Sequence, residues 1–289
     1  MNQNKITPYT LVIPAYNESA VIGKVLKELG RPVGCYEIIV VNDGSTDDTA
    51  KIARENGARV ISHQFNRGYG AALKTAISLI NTEITIIYDA DGQHSPQDLE
   101  KIAKIANQYD MVVGAREKGS QTDWLRVPAR KILTIFANFL SGYKIPDLNS
   151  GLRSFKTVII KKYLHLMPDG FSFSTTSTIA FLKMGYTVKY IPIITRNRSG
   201  GRSTMGPRDL FRIIMLILNL IVLFDPQKVF LPVSAIFFSL GIGYFIYFSL
   251  AFYVDVSSSM ILLIMVGVII FFMGIICEHI SAIRRELHK

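Results

Sequence analysis

The sequence predicts an α/β domain with a mainly parallel sheet, followed by an interfacial helix and a two-helix transmembrane hairpin. Short β-branched runs alternate with helical patterns along the first half of the chain. Charged residues are frequent up to about Arg212 and almost disappear between Val229 and Cys277. A change in composition this sharp separates a part of the chain that meets water from a part that meets lipid.

Five runs have the length and composition of β-strands: Thr10–Ile13, Glu37–Val41, Arg59–Ser62, Ile84–Tyr88 and Met111–Val113. Between them, apolar residues recur at helical spacing from Val21 to Leu29 and from Ala72 to Ile80. Ser95 can cap a further helix that has Pro96 at its first position. Strands and helices that alternate in this way predict a parallel sheet with helices on both faces. Ligands of such sheets bind at the carboxyl ends of the strands.

The chain between residues 124 and 203 is less regular. Its clearest patterns are a helix at Trp124–Leu140 and a strand at Thr187–Ile194. Gly170–Thr178 is a run of small hydroxyl and aromatic residues that fits a sugar pocket, a lipid groove or an ordinary loop entering a helix. We assign residues 1–207 to one water-exposed domain.

Two uncharged apolar stretches, about 229–254 and 257–277, are each long enough to cross a bilayer, which takes roughly 20 apolar residues per helix. Residues 227–289 are therefore predicted to form two transmembrane helices and a tail. The link around Asp255 has no Lys or Arg, whereas Lys228 precedes the first stretch. Basic residues also follow the second stretch: Arg284, Arg285 and Lys289. By the positive-inside rule, we expect an integral membrane protein with both termini cytoplasmic, in the plasma membrane of a prokaryote.

A shorter apolar run, Ile213–Phe224, follows Arg208 and Arg212 and is too short to cross a bilayer. We predict that residues 208–226 form an amphipathic helix lying on the cytoplasmic leaflet. The N-terminal MNQNKITPYT has no apolar core, so no signal peptide is expected. The first domain is therefore expected to stay on the cytoplasmic side.

The formal net charge is +10, and a basic surface fits anionic lipid headgroups, phosphorylated substrates or nucleic acid. Nucleic acid is not expected as a partner, because no stripe of Lys and Arg with interleaved aromatic residues is present. The lipid bilayer is expected as a partner, and a homo-oligomer stays open. The two cysteines, Cys35 and Cys277, lie in different regions and indicate no disulfide, which fits a reducing compartment.

The residues with the clearest chemistry are Asp89 and Asp91, which directly follow an apolar strand. Residues i and i+2 of an extended chain point the same way, so both carboxylates can reach one divalent cation. Gln93 on the same loop can add an amide oxygen, whereas His94 is expected to be structural. These oxygen ligands suit Mg²⁺ or Mn²⁺, and such a cation neutralises a nucleotide diphosphate. The alternative is an Asp-rich turn that only begins a helix.

Two further loops leave strands at the same edge of the predicted sheet. Pro14–Glu18 follows the first strand and Asn42–Asp48 follows the second. An aromatic ring and carboxylates there can hold a base and a ribose. The alternative is helix capping, which suits Asn17, Ser45 and Thr46. The chain has neither a P-loop nor a G-x-G-x-x-G sequence after its first strand, which disfavours both of those nucleotide-binding classes.

Together these motifs resemble the family 2 glycosyltransferases of the GT-A fold, and among them the polyprenyl-phosphate hexosyltransferases. That group includes the dolichol-phosphate mannose synthases and the bacterial polyprenyl-phosphate glucosyltransferases. The resemblance covers most of the chain and rests on the order of its segments: PAYNE, VNDGSTDDT, NRGYGAAL, DADGQHSP, GAREKG, ARKILTIFANFL, DLNSGLRSF and RSGGRST. It implies a Rossmann-like GT-A catalytic domain, a nucleotide-sugar donor and a polyprenyl or dolichyl phosphate acceptor.

The resemblance also implies roles for individual residues. The nucleoside pocket would be lined by Pro14, Tyr16, Glu18 and Asp43. The ligands of Mg²⁺ or Mn²⁺ would be Asp89, Asp91 and Gln93. The bound cation would in turn hold the diphosphate of the nucleotide-sugar donor. The contacts to the acceptor phosphate would be Arg116, Arg130 and Thr134. Arg198 would contact the donor phosphates, while Asp91, Arg116 and Arg130 would carry the catalysis.

Two positions depart from the pattern of that group. Relatives often carry Arg where this chain has Ile135, and Lys where it has Thr204. Arg202 is one candidate to replace the missing charge. The contacts to the acceptor phosphate are therefore less firmly implied than the metal ligands.

The implied reaction is a single inverting displacement, in which a lipid phosphate oxygen attacks the anomeric carbon and the nucleoside diphosphate leaves. GDP-mannose and UDP-glucose both stay open as donors. Two alternatives are transfer to a hydroxyl acceptor and a catalytically inactive membrane scaffold. The first would need a base, and the Q-x-x-R-W element of processive synthases is absent. The intact pair of Asp89 and Asp91 argues against the second.

Overall fold

The computed structural model describes residues 6–117, 138–139, 142–170, 172–196, 225–252 and 257–286, together with single residues at 215, 218 and 222. The chain forms two compact units, Met1–Ile213 and Ile214–Lys289. The predicted helix at 124–140 and the predicted interfacial helix at 208–226 lie largely outside the described residues. Of the positions described there, 138, 139, 215, 218 and 222 are helical, whereas 225 and 226 are not.

A seven-stranded sheet forms the centre of the first unit. Its strands are β1 (Tyr9–Ala15), β2 (Cys35–Asn42), β3 (Arg59–Ser62), β4 (Ile84–Ile87), β5 (Met111–Arg116), β6 (Arg153–Lys156) and β7 (Val188–Ile193). Their order across the sheet is β3-β2-β1-β4-β6-β5-β7. The pairs of β6 with β4 and β5 are antiparallel, and the others are parallel. The predicted α/β class with a mainly parallel sheet is confirmed.

Helices cover this sheet, and their bounds are α1 (Ser19–Leu29), α2 (Thr49–Glu55), α3 (Tyr69–Leu79), α4 (Pro96–Ile105), α5 (Thr157–Lys162) and α6 (Phe173–Lys183). The apolar residues of α1 fall on one buried stripe, as the helical spacing predicted. The Ser95 side chain accepts a hydrogen bond from the Asp98 backbone N–H at 3.2 Å and Pro96 opens α4, so the predicted cap is confirmed.

The central strand β1 is buried along its whole length, because a parallel sheet is covered on both faces. Its register sets Ala15 beside Asn42 and Val12 beside Ile87. The loops that leave β1, β2 and β4 therefore start at one edge of the sheet. That edge is where the candidate site residues of these three loops lie.

The second unit contains two long helices, α7 (Gln227–Phe252) and α8 (Ser258–Glu286). Both are long and apolar enough to cross a membrane, and few of their residues are buried, unlike the core helix of a globular protein. Glycines allow the two helices to approach closely, since a Cβ at Gly241 would lie 2.8 Å from Ile264 and one at Gly274 would lie 2.7 Å from Phe230. The predicted pair of helices is present, and α8 extends beyond Cys277 to Glu286.

Candidate active site

Asp89 lies where the chain leaves β4, with its carboxylate about one quarter exposed. The Tyr69 hydroxyl donates a hydrogen bond to Asp89 Oδ1 at 3.1 Å, and His94 Nε2 lies 3.6 Å from Oδ2. Burial raises the pKa of Asp89, but His94 and the Tyr69 hydroxyl outweigh burial and hold that pKa below its ordinary value. The carboxylate is therefore ionised and available to a cation at neutral pH.

Gly151 is the residue against which this carboxylate packs. A Cβ at position 151 would overlap the carboxyl group of Asp89. The φ angle of Gly151 is outside the left-handed region, so space alone, and not backbone conformation, requires glycine here.

Asp91 and Gln93 lie on the same loop as Asp89. The Gln93 backbone N–H donates to Asp91 Oδ1 at 3.1 Å. Gln93 also pairs with the segment that follows β7, because its Nε2 donates to the Arg196 carbonyl at 3.3 Å and the Arg196 N–H donates to the Gln93 carbonyl at 2.9 Å. The amide nitrogen of Gln93 thus donates a hydrogen bond within the protein. A cation would bind the amide oxygen, Oε1.

The oxygens of this loop fit a hard divalent cation such as Mg²⁺ or Mn²⁺. Within the described residues, no group of three or more His, Cys, Asp or Glu side chains could hold a metal ion by itself. Two carboxylates and an amide are too few for a closed structural site. They match the usual way that Mg²⁺ is bound, by one or two carboxylates together with substrate phosphates. The roles of Asp89, Asp91 and Gln93 as ligands stay predictions.

The loops after β1 and β2 are joined to each other. The Asn17 N–H donates to Ser45 Oγ at 3.0 Å, and the Thr46 N–H donates to Asn17 Oδ1 at 2.9 Å. Asn17 has a φ of 53°, a conformation that Asn tolerates better than most residues. The alternative of helix capping does not describe these three side chains, because they bond between the loops. Asp47 takes that role instead and accepts from the Ser19 and Thr49 N–H groups, both at 3.1 Å.

Asp43 is almost fully buried at the end of β2. Its carboxylate accepts from the N–H groups of Arg67 at 2.9 Å and Gly68 at 2.7 Å, and His63 Nδ1 lies 2.6 Å from its Oδ1. The other ring nitrogen of His63, Nε2, lies 2.9 Å from Thr75 Oγ1. Asp43 therefore fixes the loop that leads into α3, which leaves little acceptor capacity for a nucleoside.

The other predicted nucleoside residues differ in accessibility. Pro14 is buried inside β1, where it pairs with Val41. Tyr16 is 46% exposed and so is the ring of this set that a base can reach. Glu18 is partly buried, and its N–H donates to Thr49 Oγ1 at 2.9 Å. Contacts of all these residues with a nucleoside remain predictions.

Arg116 ends β5 and forms a bidentate pair with the buried Asp147. Its Nε donates to Asp147 Oδ2 at 2.7 Å, and its Nη2 donates to Oδ1 at 3.0 Å. Burial lowers the pKa of Arg116, but Asp147 raises it, and Asp89 and Asp91 add to the rise. The guanidinium is therefore within electrostatic range of both carboxylates of the β4 loop. Sequence reasoning missed Asp147, although it opens the segment DLNSGLRSF.

Arg153, in the segment DLNSGLRSF, is a structural residue rather than a ligand by its sequence context, and it is fully buried in β6. Its donors meet neutral oxygens only, for example the Ser174 carbonyl at 2.7 Å and Ser177 Oγ at 3.0 Å. Burial lowers the pKa of Arg153, but the ordinary pKa of arginine is so high that the group keeps its charge. These oxygens belong to the run Gly170–Thr178. Most of that run forms the first turns of α6, which begins at Phe173.

Three predicted site residues, Arg130, Thr134 and Arg198, lie outside the described residues, as do Ile135, Arg202 and Thr204. The structure brings together the remaining members that the chemistry needs. Asp89, Asp91 and Gln93 share one loop, and Arg116 is electrostatically close to the first two.

Comparison with known sequences gives two matches along the chain. The profile of glycosyl transferase family 2 matches residues 10–164, and that of the GtrB C-terminal hairpin matches residues 225–283. The first covers more than half of the chain, and the second covers the two long helices.

Several relatives share much of this sequence. An uncharacterized protein of Methanocaldococcus jannaschii is 38% identical, over 71% of this chain and 90% of that protein. A dolichyl-phosphate hexose transferase of Haloferax volcanii is 31% identical, over 68% of this chain and 88% of that protein. An undecaprenyl-phosphate 4-deoxy-4-formamido-L-arabinose transferase of Edwardsiella ictaluri is 29% identical, over 73% of this chain but 66% of that longer protein.

Among solved structures, glucosyl-3-phosphoglycerate synthase from Mycobacterium tuberculosis, in complex with Mn²⁺, UDP and phosphoglyceric acid, superposes with a TM-score of 0.61. It is 20% identical, over 74% of this chain and 78% of that one. The same enzyme is also known with Mg²⁺ and UDP. This likeness confirms the predicted GT-A type of fold. The family 2 profile, the relatives and the shared fold agree, and the chain belongs to the family 2 glycosyltransferases.

Proposed function

We propose that this chain transfers a hexose from a nucleotide-sugar to a polyprenyl or dolichyl phosphate, with Mg²⁺ or Mn²⁺ bound at Asp89, Asp91 and Gln93. The observation that carries the proposal is the position of Arg116. β4 and β5 both pair antiparallel with β6, so they run in the same direction, and Arg116 at the end of β5 lies at the same edge of the sheet as the loop that follows β4. A cation at this edge suits a reaction in which two phosphate groups must approach each other. The names of two relatives, which specify dolichyl and undecaprenyl phosphate, support this acceptor class.

The proposed reaction needs positioning and charge neutralisation rather than a strong base. An oxygen of the lipid phosphate, already ionised near neutral pH, forms a bond to the anomeric carbon while the bond to the nucleoside diphosphate breaks. One displacement of this kind inverts the anomeric centre. A bound Mg²⁺ or Mn²⁺ would neutralise the departing diphosphate. Arg116 holds the attacking phosphate, because a guanidinium fork binds two phosphate oxygens.

We also propose that the catalytic unit and both chain termini are cytoplasmic, with the link between α7 and α8 on the opposite side. Support comes from the match to the GtrB hairpin and from the basic residues that flank the two helices. The test uses a variant whose native cysteines are both replaced and Ser258 is changed to Cys. In intact cells, a membrane-impermeant maleimide should label this variant, but not a companion variant in which Cys277 is replaced and Cys35 is the one cysteine left. The reverse labelling would refute this orientation.

The central experiment uses the purified full chain in detergent, with polyprenyl phosphate, Mn²⁺ and either GDP-mannose or UDP-glucose. We expect release of GDP or UDP that depends on the lipid and forms a lipid-linked sugar. Release that does not depend on the lipid phosphate but does depend on an added hydroxyl acceptor would favour transfer to a hydroxyl group. A folded protein that releases neither nucleotide would favour the inactive scaffold.

The variant Asp91→Asn tests the metal-binding loop, and Glu100→Gln is its control because Glu100 is an exposed carboxylate on α4, outside every predicted site. We expect a loss of about 100-fold or more for the first, which is typical when a group that stabilises transition-state charge is removed. The control should keep the parental rate. Parental activity in Asp91→Asn would refute the role assigned to this loop.

A further inference from the structure

We propose that Asp147 is a positioning residue, which orients Arg116 so that one edge of its guanidinium is left to bind an anionic substrate phosphate. The inference rests on the proposed function and deepens it, because it names the group that prepares the acceptor site. Asp147 is not expected to touch the substrate itself. It acts through Arg116.

The geometry of the pair shows which donors are used. Asp147 accepts from Nε and Nη2 of Arg116, at 2.7 and 3.0 Å. A guanidinium has five N–H donors, so this side-on pair occupies two of them. The second edge, formed by Nη1 and the other Nη2 hydrogen, has the same bidentate shape and fits two oxygens of a phosphate. Among the described residues, none accepts a hydrogen bond from Nη1.

Asp147 is held rigidly enough to orient its partner. Its side chain is 1% exposed. The Asn149 N–H donates to Oδ1 at 3.1 Å, and the Arg116 N–H donates to Oδ2 at 3.3 Å. The carboxylate therefore contacts backbone at both oxygens, and the arginine that it binds loses side-chain freedom before any substrate arrives. A group fixed in advance gives up less entropy on binding.

The test compares Asp147→Asn with the parent in lipid-dependent nucleotide release by the purified full chain. Since hydrogen bonds to charged groups are stronger than neutral ones, we expect KM for the polyprenyl phosphate to rise on the order of 10- to 100-fold. Binding of Mn²⁺ and UDP or GDP in the absence of lipid should change by less than about threefold, since Asp147 touches neither. Equal losses in both measurements would mean that Asp147 only supports the fold, and would overturn the proposal.

Asp110→Asn is the matched control, because Asp110 forms an ion pair with Lys156 at 3.0 Å beside the opposite end of β5. It should lower the melting temperature and leave KM for the lipid unchanged. Asp147→Glu keeps the charge but moves the carboxylate, so it should fold like the parent and still bind the lipid more weakly. If both Asp147→Glu and Asp147→Asn have the parental KM for the polyprenyl phosphate, the positioning role is refuted.

A double-mutant cycle with Arg116→Gln separates action through Arg116 from any other action. If Asp147 works only through Arg116, the double variant should lose no more lipid affinity than Arg116→Gln alone. Additive losses would contradict this. A second measurement does not need turnover: a short-chain alkyl phosphate should raise the melting temperature of the parent and of Asp110→Asn, but not of Asp147→Asn or Arg116→Gln. An equal rise in Asp147→Asn would refute the inference, even if lipid-dependent release fails and the proposed function with it.

Discussion

Gly151→Ala is the substitution whose effect follows most directly from the structure. The added Cβ would overlap the carboxyl group of Asp89, all three of whose atoms lie inside van der Waals distance of that position. The backbone can accept alanine, because φ at this residue is outside the left-handed region. The carboxylate must therefore retreat by more than about 1 Å to restore ordinary contact. The 3.1 Å hydrogen bond from the Tyr69 hydroxyl to Asp89 should lengthen or break when it does.

The size of the effect can be estimated from this displacement. A misplacement of about 1 Å in a catalytic arrangement costs roughly 100-fold in rate. That loss corresponds to about 2.7 kcal/mol of transition-state stabilisation. We expect the rate of lipid-dependent nucleotide release to fall by this factor, and the Mn²⁺ concentration that gives half the maximal rate to rise.

The matched control is Gly170→Ala, since nothing lies within 4 Å of a Cβ at that position and its φ is also outside the left-handed region. Melting temperatures of both variants separate local displacement from unfolding. If Gly151→Ala keeps the parental rate and the parental Mn²⁺ dependence while folded, Asp89 is not the metal ligand that we propose.

Further predictions concern stability and metal use. Burial raises the pKa of Asp47, but the hydrogen bonds from Thr49 and Ser19 together outweigh burial and lower the pKa to about 2 from an ordinary 3.8. A carboxyl group with a lowered pKa stabilises the fold at pH values above its ordinary pKa, and this contribution is lost as the pH falls from 3.8 toward 2. In Asp47→Asn, the melting temperature should therefore fall less over that pH range than it does in the parent. Identical curves for variant and parent would contradict this. Gly70→Ala places a Cβ against the Pro168 carbonyl and 2.9 Å from the Gly170 oxygen, so urea unfolding should show a loss of about 1–3 kcal/mol, absent from Gly170→Ala. Arg153→Met leaves buried carbonyls without donors and should cost about 3 kcal/mol or more. Lys104→Met, at an exposed ion pair with Glu100, should change the free energy of unfolding little. Similar losses in both variants would refute the structural role of Arg153. Chelation with EDTA should abolish lipid-dependent release and added Mn²⁺ or Mg²⁺ should restore it, and activity that survives chelation would exclude the proposed metal.

The strands of the sheet could be predicted from the sequence wherever the strand is parallel and buried. β1 is apolar throughout because both of its faces are covered, and such a run stands out. β6 was missed because it has four residues, Arg153 to Lys156, and includes two polar or charged side chains in its buried part. Its place between β4 and β5 comes from antiparallel pairing with distant residues, which periodicity does not reveal.

The start of α6 could not be predicted from the sequence, which left a sugar pocket, a lipid groove and a loop entering a helix all open, because serine and threonine are weak helix formers. Within the fold, their hydroxyls and carbonyls accept hydrogen bonds from Arg153. This tertiary interaction outweighs the local preference. The same limit applies to Asp147, which is 31 residues from Arg116 in sequence. An ion pair over that separation has no local pattern that could predict it.

A residue that sequence reasoning recognised and one that it missed combine into one electrostatic arrangement. The loop after β4 has two carboxylates, those of Asp89 and Asp91, and the buried Asp147 holds Arg116 at the same edge of the sheet. Two carboxylates repel an incoming phosphate, and a divalent cation bound between them would remove that repulsion. The affinity for the lipid phosphate should therefore depend on the metal, so KM for the lipid should fall as the Mn²⁺ concentration rises. A KM that is independent of Mn²⁺ would contradict this arrangement.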